Sequence, residues 1–122
     1  MNILIVDDDV VIRKLISSVL LGCPEVTQCY QADSLVSAYQ LLEQGMKPDV
    51  IFLDVHLPDS NSGLEVCQEL KTSSALNTAV IVVVSADMSR ETENEAYSKG
   101  ADMFLTKPFN PFSLRKVVKR VA

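Results

Sequence analysis

Six side chains of this 122-residue sequence could together carry out phosphoryl-transfer chemistry. They are four aspartates, a serine and a lysine: Asp7, Asp8, Asp9, Asp54, Ser85 and Lys107. Ligand sets made only of oxygen suit Mg²⁺ or Mn²⁺ better than zinc. A divalent cation, a lysine and a hydroxyl around one carboxylate form a charge clamp for a phosphoryl group, which that carboxylate can attack. Asp54 stands alone at the end of an apolar run and is therefore the best candidate for the nucleophile.

Each of these polar positions follows a short apolar run rich in β-branched residues. The runs cover residues 2–6, 50–53, 80–84 and 103–106. Such runs are typical of buried strands in a parallel sheet. Because parallel strands present their carboxyl ends at one edge, where open α/β folds bind ligands, we expect the six side chains to converge there.

The segments between these strands have helical periodicity. An apolar stripe of Val11, Leu15, Ile16, Val19 and Leu20 predicts that the first helix packs these residues on the core. A weaker strand is predicted at residues 26–31, and a polar fourth helix at residues 89–99. The β-α alternation occurs five times and predicts a flavodoxin-like (βα)5 doubly wound α/β fold. Its five parallel strands would have the order 2-1-3-4-5, with helices on both faces, so that Asp7, Asp8 and Asp54 become neighbours.

Composition predicts one cytoplasmic domain spanning residues 1–122. The net charge of −5 and pI near 4.7 argue against direct nucleic-acid binding by this domain. No apolar run is long enough to span a membrane, and the N-terminus does not resemble a secretory signal. The three cysteines lack metal-ligand spacing, so we expect buried free thiols in a reducing compartment.

Basic residues gather near the C-terminus, at Arg115, Lys116, Lys119 and Arg120. They form either a solvated helix face, since helix C-termini favour cations, or a patch that binds a partner.

The chain resembles a two-component response regulator receiver domain, of the chemotaxis-regulator type, along its whole length. The matching landmarks are Asp7-Asp8, Asp54 in the segment Asp-Val-His-Leu-Pro, Ser85-Ala86 and Lys107-Pro108-Phe109. The resemblance implies that Asp54 is phosphorylated by a phosphohistidine of a sensor histidine kinase or a histidine phosphotransfer protein. It also implies Mg²⁺ (or Mn²⁺) held by Asp7, Asp8, Asp54 and the backbone carbonyl of His56, with Ser85 and Lys107 binding phosphoryl oxygens.

The same resemblance implies a switch formed by Ser85 and Phe104. Ser85 would move toward the phosphoryl group and Phe104 would rotate into the vacated space, changing the surface of the fourth helix, fifth strand and fifth helix. That surface would bind a downstream output domain or protein, or would form a phosphorylation-dependent homodimer. The alternative for Phe104 is a plain core aromatic. As a receiver, the chain would catalyse only its own phosphorylation and dephosphorylation, and is not expected to be an enzyme with an independent substrate.

Two features depart from the family pattern or stay open. Gly63 stands nine residues after Asp54, one position later than is common in the family, which predicts a longer loop at residues 59–62. The Lys107-Pro108 bond could be cis or trans, and a cis bond would hold the lysine at the sheet edge.

Other functions fit the sequence less well. A haloacid-dehalogenase-like phosphatase would use Asp7 as its nucleophile, but it needs an acidic motif after Lys107, and residues 108–122 contain no Asp or Glu. A flavin- or nucleotide-binding module would favour a Gly/Ser/Thr-rich loop after the first strand, where this chain has three aspartates. A phosphorylation-independent interaction scaffold would usually have lost one of the acidic or lysine positions.

Overall fold

The structure, a computed structural model, describes residues 1–57, 63–72, 78–87 and 89–122. Strands and helices alternate along the chain. They are β1 (Asn2–Val6), α1 (Val10–Leu21), β2 (Gln28–Ala32), α2 (Leu35–Glu43), β3 (Val50–Asp54), α3 (Gly63–Thr72), β4 (Val80–Ser85), α4 (Arg90–Ser98), β5 (Met103–Thr106) and α5 (Pro111–Val121). The predicted loop at residues 59–62 lies outside the described residues.

The five strands form one parallel sheet in the order β2-β1-β3-β4-β5, as predicted from the sequence. The register aligns the carboxyl ends of the strands. Val6 pairs with Leu53, Asp54 with Val84, and Ser85 with Thr106. The side chains that follow these strands therefore project from one edge of the sheet.

Helices cover both faces of the sheet, which confirms the predicted doubly wound architecture. On one face α1 and α5 contribute Ile16, Leu20, Leu114, Val117 and Val118 to a buried cluster. On the other face α2, α3 and α4 pack a second buried cluster against the sheet, to which Ala38, Leu64 and Ala96 belong. Strand side chains alternate between the two clusters, because successive residues of a strand point to opposite faces.

Two predictions about the elements on the β2 side of the sheet were wrong in detail. β2 begins at Gln28, because Val26 instead closes a turn by donating its N–H to the Cys23 carbonyl at 3.1 Å. In α1 the stripe is narrower than predicted. Ile16 and Leu20 are buried, but Val11 is 69% exposed and Leu15 is 39% exposed.

Capping residues define the starts of three helices. Ser34, Ser89 and Asn110 are the N-caps of α2, α4 and α5, and each accepts a hydrogen bond from a backbone N–H in the first turn. The fourth helix is thus shorter than residues 89–99, with Ser89 and Lys99 as its caps. Gly100 has a φ of 103°, a conformation that favours glycine after a helix.

The cysteines are all free thiols, but the prediction that all three are buried was wrong. Cys67 in α3 is buried, and burial raises the pKa of its thiol to about 11. Cys23 and Cys29 are only half-buried, because they lie after α1 and on the edge strand β2, where helical cover is incomplete. In the described part of the chain, no helix combines the length and the apolar character needed to cross a bilayer.

Candidate functional site

An acidic pocket lies where β1 and β3 end side by side. Asp7 is 2% exposed and Asp54 is 4% exposed, whereas Asp8 is exposed. One carboxylate oxygen from each of these three aspartates lies within 4.8 Å of the other two. The structure thus brings Asp7, Asp8 and Asp54 together, as the strand order requires. The expectation that Asp9 joins this group was wrong, because its carboxylate instead caps α1 and accepts hydrogen bonds from the backbone N–H groups of Val11 and Ile12.

Lys107 brings a positive charge to the two buried carboxylates. Its Nζ donates a hydrogen bond to Asp7 Oδ2 at 2.9 Å and lies 3.5 Å from Asp54 Oδ2. The Lys107-Pro108 bond, left open by the sequence, is cis. The Lys107 N–H also donates to the Ser85 carbonyl at 2.7 Å, which fixes the end of β5 against the end of β4.

The pKa values of Lys107 and Asp54 are both shifted by burial and by the neighbouring charges of the pocket. Burial acts to lower the pKa of Lys107, but the hydrogen bond to Asp7 and the negative charge of Asp54 outweigh it, so that the pKa is raised. For Asp54, burial and the neighbouring Asp7 charge raise the pKa above its ordinary value, against the opposing effects of the His56 N–H and of Lys107. The ionised form of Asp54 is therefore disfavoured in the metal-free pocket, and an added cation would stabilise it.

Ser85 lies fully buried beside this group. It follows Val84, the register partner of Asp54 on β4. Its Oγ accepts a hydrogen bond from the Asp87 N–H at 3.0 Å. The Asp87 carboxylate in turn accepts hydrogen bonds from the Ser89 N–H at 2.8 Å and the Thr92 hydroxyl at 2.6 Å. The end of β4 is thus connected by hydrogen bonds to the first turn of α4.

The two remaining residues singled out from the sequence have different positions. The His56 N–H donates to Asp54 Oδ1 at 3.0 Å and its side chain is exposed at the rim of the pocket. Phe104 lies on β5 opposite Val83 and is half-buried against the cluster on the α4 side of the sheet. Phe104 is therefore not a fully enclosed core residue.

Sequence reasoning missed one residue of this site. The Arg13 Nη1 donates a hydrogen bond to the backbone carbonyl of Asp7 at 2.6 Å, immediately behind the acidic pocket. The signal that could have found it is spacing, since Arg13 follows Asp9 by one helical turn and so faces back toward the end of β1.

The arrangement of these groups suits a divalent cation and a phosphoryl group. Three carboxylates supply only oxygen ligands, and Asp8 is open to solvent, which leaves room for water. The half-buried Lys107 ammonium lies 3.5 Å from the Asp54 carboxylate, and the buried Ser85 hydroxyl lies at the end of the neighbouring strand. The fold and this pocket define an α/β protein that binds its ligand at the strand-order switch point of a doubly wound sheet.

The chain belongs to the response regulator receiver domain family, whose model matches residues 3–119. It is 33% identical to the phosphate regulon transcriptional regulatory protein PhoB of Pseudomonas aeruginosa over 122 residues, covering 98% of this chain and 51% of that protein. It is 31% identical to the nitrate/nitrite response regulator protein NarL of Escherichia coli K12, covering 99% of this chain and 54% of that protein. The chain thus spans about half the length of these curated relatives.

Solved structures agree with this assignment. The chemotaxis response regulator CheY4 of Vibrio cholerae superimposes with a TM-score of 0.86 at 30% identity, covering 99% of this chain and 98% of that one. The beryllofluoride-activated NtrC4 receiver domain dimer gives a TM-score of 0.85 at 29% identity, covering 98% of this chain and 94% of that one. The chain is a phosphoacceptor receiver domain of two-component phosphorelay signalling. The phosphatase alternative finds no support, and the family match indicates no catalytic enzyme family.

Proposed function

We propose that Asp54 is the phosphoacceptor and takes its phosphoryl group from a phosphohistidine of a sensor histidine kinase or a histidine phosphotransfer protein. The observation that carries this proposal is the position of Lys107, 2.9 Å from Asp7 and 3.5 Å from Asp54 in a pocket that buries both carboxylates. Three carboxylates at one sheet edge repel one another, which supports a cation among them.

The reaction exchanges one bond to phosphorus for another. An Asp54 oxygen attacks the phosphorus atom in line with the P–N bond of the phosphohistidine. The P–N bond breaks, an acyl phosphate forms, and the imidazole leaves with the electron pair and takes up a proton. Lys107 neutralises charge on the phosphoryl oxygens, and the Ser85 hydroxyl donates a hydrogen bond to one of them.

Mg²⁺, or Mn²⁺ in its place, is the cofactor we propose. Asp7, Asp8, Asp54 and the His56 carbonyl would hold it, and their oxygen-only donor set fits such an ion. When bound, the ion supplies charge neutralisation for the phosphoryl oxygens and for the crowded carboxylates. This chain is not proposed to act on an independent substrate, and its chemistry would be limited to its own phosphorylation and dephosphorylation.

The switch is proposed to run from Ser85 to Phe104. An added charge of about −1.5 to −2 would draw the Ser85 hydroxyl toward the phosphoryl group and away from the Asp87 N–H. Phe104 would then turn inward. Its half-buried position on β5, on the face of the sheet that α4 covers, leaves its ring partly outside the core before the movement. The surface of α4, β5 and α5 would change as a result.

That surface is the proposed site of output. A groove of about 310 Å³ runs along β5 and is lined by residues including Tyr97, Phe104, Lys116 and Arg120. The basic residues of α5 are exposed, so they are available either to solvent or to a partner. Proposed occupants are a downstream output domain or protein, or a second copy of the chain in a phosphorylation-dependent homodimer. A receiver dimer is the assembly of the beryllofluoride-activated relative.

The donor of the phosphoryl group is proposed to dock on α1. Val10 and Val11 are 47% and 69% exposed in the first turn of this helix, which begins directly after Asp9. A docked partner would cover these two neighbouring apolar side chains and so remove them from water. We place this receiver, proposed to span residues 1–122, in the cytoplasm, where its kinase partners act.

The test uses acetyl phosphate as a small donor, followed by measurement of the intact mass. In the presence of Mg²⁺ the protein should gain one phosphoryl group, and EDTA should prevent the gain. Asp54→Asn should gain none, whereas Asp49→Asn, at an exposed aspartate beyond the opposite end of β3, should behave like the wild type. Undiminished labelling of Asp54→Asn would reject the proposal.

A further inference from the structure

Arg13 connects α1 to the ends of two strands. Its Nη1 donates to the Asp7 carbonyl at 2.6 Å, and its Nε donates to Gln31 Oε1 on β2 at 3.3 Å. The side chain is half-buried, unlike that of Lys14, the next residue on the same helix, which is exposed. Arg13 is therefore held by two contacts with different strand ends.

The Asp7 carbonyl is a critical point for the geometry of the acidic pocket. The other polar groups of Asp7 are already bound, because its N–H donates to Ala32 and its carboxylate accepts from the Asp9 N–H and from Lys107. The carbonyl belongs to the peptide unit that joins Asp7 to Asp8. The direction of that carbonyl therefore sets the direction in which the exposed Asp8 leaves the strand.

We propose that Arg13 is a positioning residue for the cation site. By holding the Asp7 carbonyl from behind, the guanidinium fixes the Asp7–Asp8 peptide plane so that both carboxylates face Asp54. Arg13 touches neither the cation nor the phosphoryl group and acts only through Asp7. This inference rests on the proposed function, because it assumes that Asp7 and Asp8 bind Mg²⁺.

When Arg13 is replaced, the loss of its charge and the loss of its positioning contact predict opposite changes in Mg²⁺ affinity. Removing a cation from the vicinity of a Mg²⁺ site lowers repulsion and should tighten Mg²⁺ binding. Losing an outer contact that orients a ligand typically costs ten- to a hundredfold in metal affinity. Arg13→Gln should therefore raise the Mg²⁺ dissociation constant about tenfold, although it removes a positive charge.

The experiment compares three variants of the 122-residue chain with the wild type. Arg13→Gln removes the guanidinium that holds the Asp7 carbonyl. Arg13→Lys keeps the positive charge but cannot make the two guanidinium hydrogen bonds to Asp7 and Gln31. Lys14→Gln is the matched control, because it removes the neighbouring charge only. Mg²⁺ affinity is measured by isothermal titration calorimetry, and folding by thermal denaturation in EDTA. Arg13→Lys should lose several-fold in affinity and Lys14→Gln should change it less than twofold.

A kinetic measurement separates positioning from general destabilisation. With acetyl phosphate as donor, Arg13→Gln should need about tenfold more Mg²⁺ for half-maximal labelling, but it should reach nearly the wild-type rate at saturation. Unchanged or tighter Mg²⁺ binding in Arg13→Gln would overturn the inference and leave the phosphoacceptor proposal intact. If Arg13→Gln does not fold, wild-type affinity in Arg13→Lys would overturn the inference equally. A wild type that binds no Mg²⁺ would overturn both proposals.

Discussion

Replacing Asp54 by asparagine should stabilise the metal-free protein, although it removes a buried group that contacts Lys107. Asparagine has nearly the same shape, and its side-chain oxygen can still accept the His56 N–H hydrogen bond found at 3.0 Å. The substitution therefore removes mainly the charge. We expect the free energy of unfolding in EDTA at pH 7 to increase by about 1 kcal/mol, because the ionised carboxylate costs more than it gains there.

The sign of this change in the free energy of unfolding follows from three contributions: attraction to Lys107, repulsion from Asp7 and loss of hydration. Attraction between Asp54 Oδ2 and Lys107 Nζ at 3.5 Å is about 4.7 kcal/mol at an effective dielectric of 20. Repulsion between the Asp7 and Asp54 carboxylates, whose oxygens lie within 4.8 Å, is about 3.5 kcal/mol or more on the same basis. These contributions nearly cancel. The loss of hydration, several kcal/mol for a buried carboxylate, therefore exceeds the remaining attraction.

Magnesium should reverse the order of stability. At a Mg²⁺ concentration 100 times its dissociation constant, the wild type gains about 2.7 kcal/mol. Asp54→Asn lacks one ligand and should gain much less, so that the wild type becomes the more stable protein. Urea denaturation followed by circular dichroism, in EDTA and in Mg²⁺, measures both differences.

The pH dependence provides an internal check. Because the folded-state pKa of Asp54 is raised above 3.8, the folded protein holds this proton more tightly than the unfolded chain. The wild type in EDTA should thus gain stability relative to Asp54→Asn as pH falls through the folded pKa, and the gain should be complete below 3.8. A matched control is Asp87→Asn, since hydrogen bonds lower the pKa of that exposed carboxyl, so asparagine there should not stabilise. A clear loss of stability in Asp54→Asn in EDTA would show that the ionised carboxylate stabilises the metal-free fold.

Three further predictions concern Lys107, Thr92 and Cys67. Lys107→Met should lower the free energy of unfolding in EDTA by about 3 kcal/mol, because two buried carboxylates lose their counter-charge. Since the pKa of Lys107 is raised above 10.5, its contribution is fully present below that pH and is lost as pH rises through the folded pKa, where denaturation curves of the two proteins should converge. Thr92→Val should speed hydrogen exchange several-fold in the first turn of α4, because it removes the hydroxyl that binds Asp87, and unchanged exchange would contradict this. Cys67 should react with a disulfide reagent at pH 8 only after unfolding in urea, whereas the two half-buried thiols react in the native protein, and simultaneous reaction of all three would show the burial to be wrong.

The central strands were predictable from sequence because β1, β3 and β4 are covered by helices on both faces. Continuous apolar runs have no other common explanation in a chain of alternating elements. β2 is an edge strand with exposed residues such as Gln28 and Gln31, so its boundaries carry a weaker signal. Val11 was misassigned to the core because α1 begins at the carboxyl edge of the sheet, where no strand lies beneath the first turn.

The positions of Asp7, Asp54, Ser85 and Lys107 were predictable for a different reason. Strand-end residues in a parallel sheet have only one edge to occupy, so their order along the chain fixes their convergence. The Arg13 contact was not predictable in the same way, because its acceptor is a backbone carbonyl that every residue possesses. The cis bond at Lys107-Pro108 was also open, since the two isomers differ by only about 1 kcal/mol.

The most direct test of the central claim is to locate the phosphoryl group after reaction with acetyl phosphate and Mg²⁺. Reduction of the acyl phosphate with borohydride converts the modified aspartate to homoserine, which peptide mass spectrometry can assign to one position. We expect homoserine at position 54 alone, and none in samples treated with EDTA. Homoserine at position 7 or 8 instead would contradict this expectation.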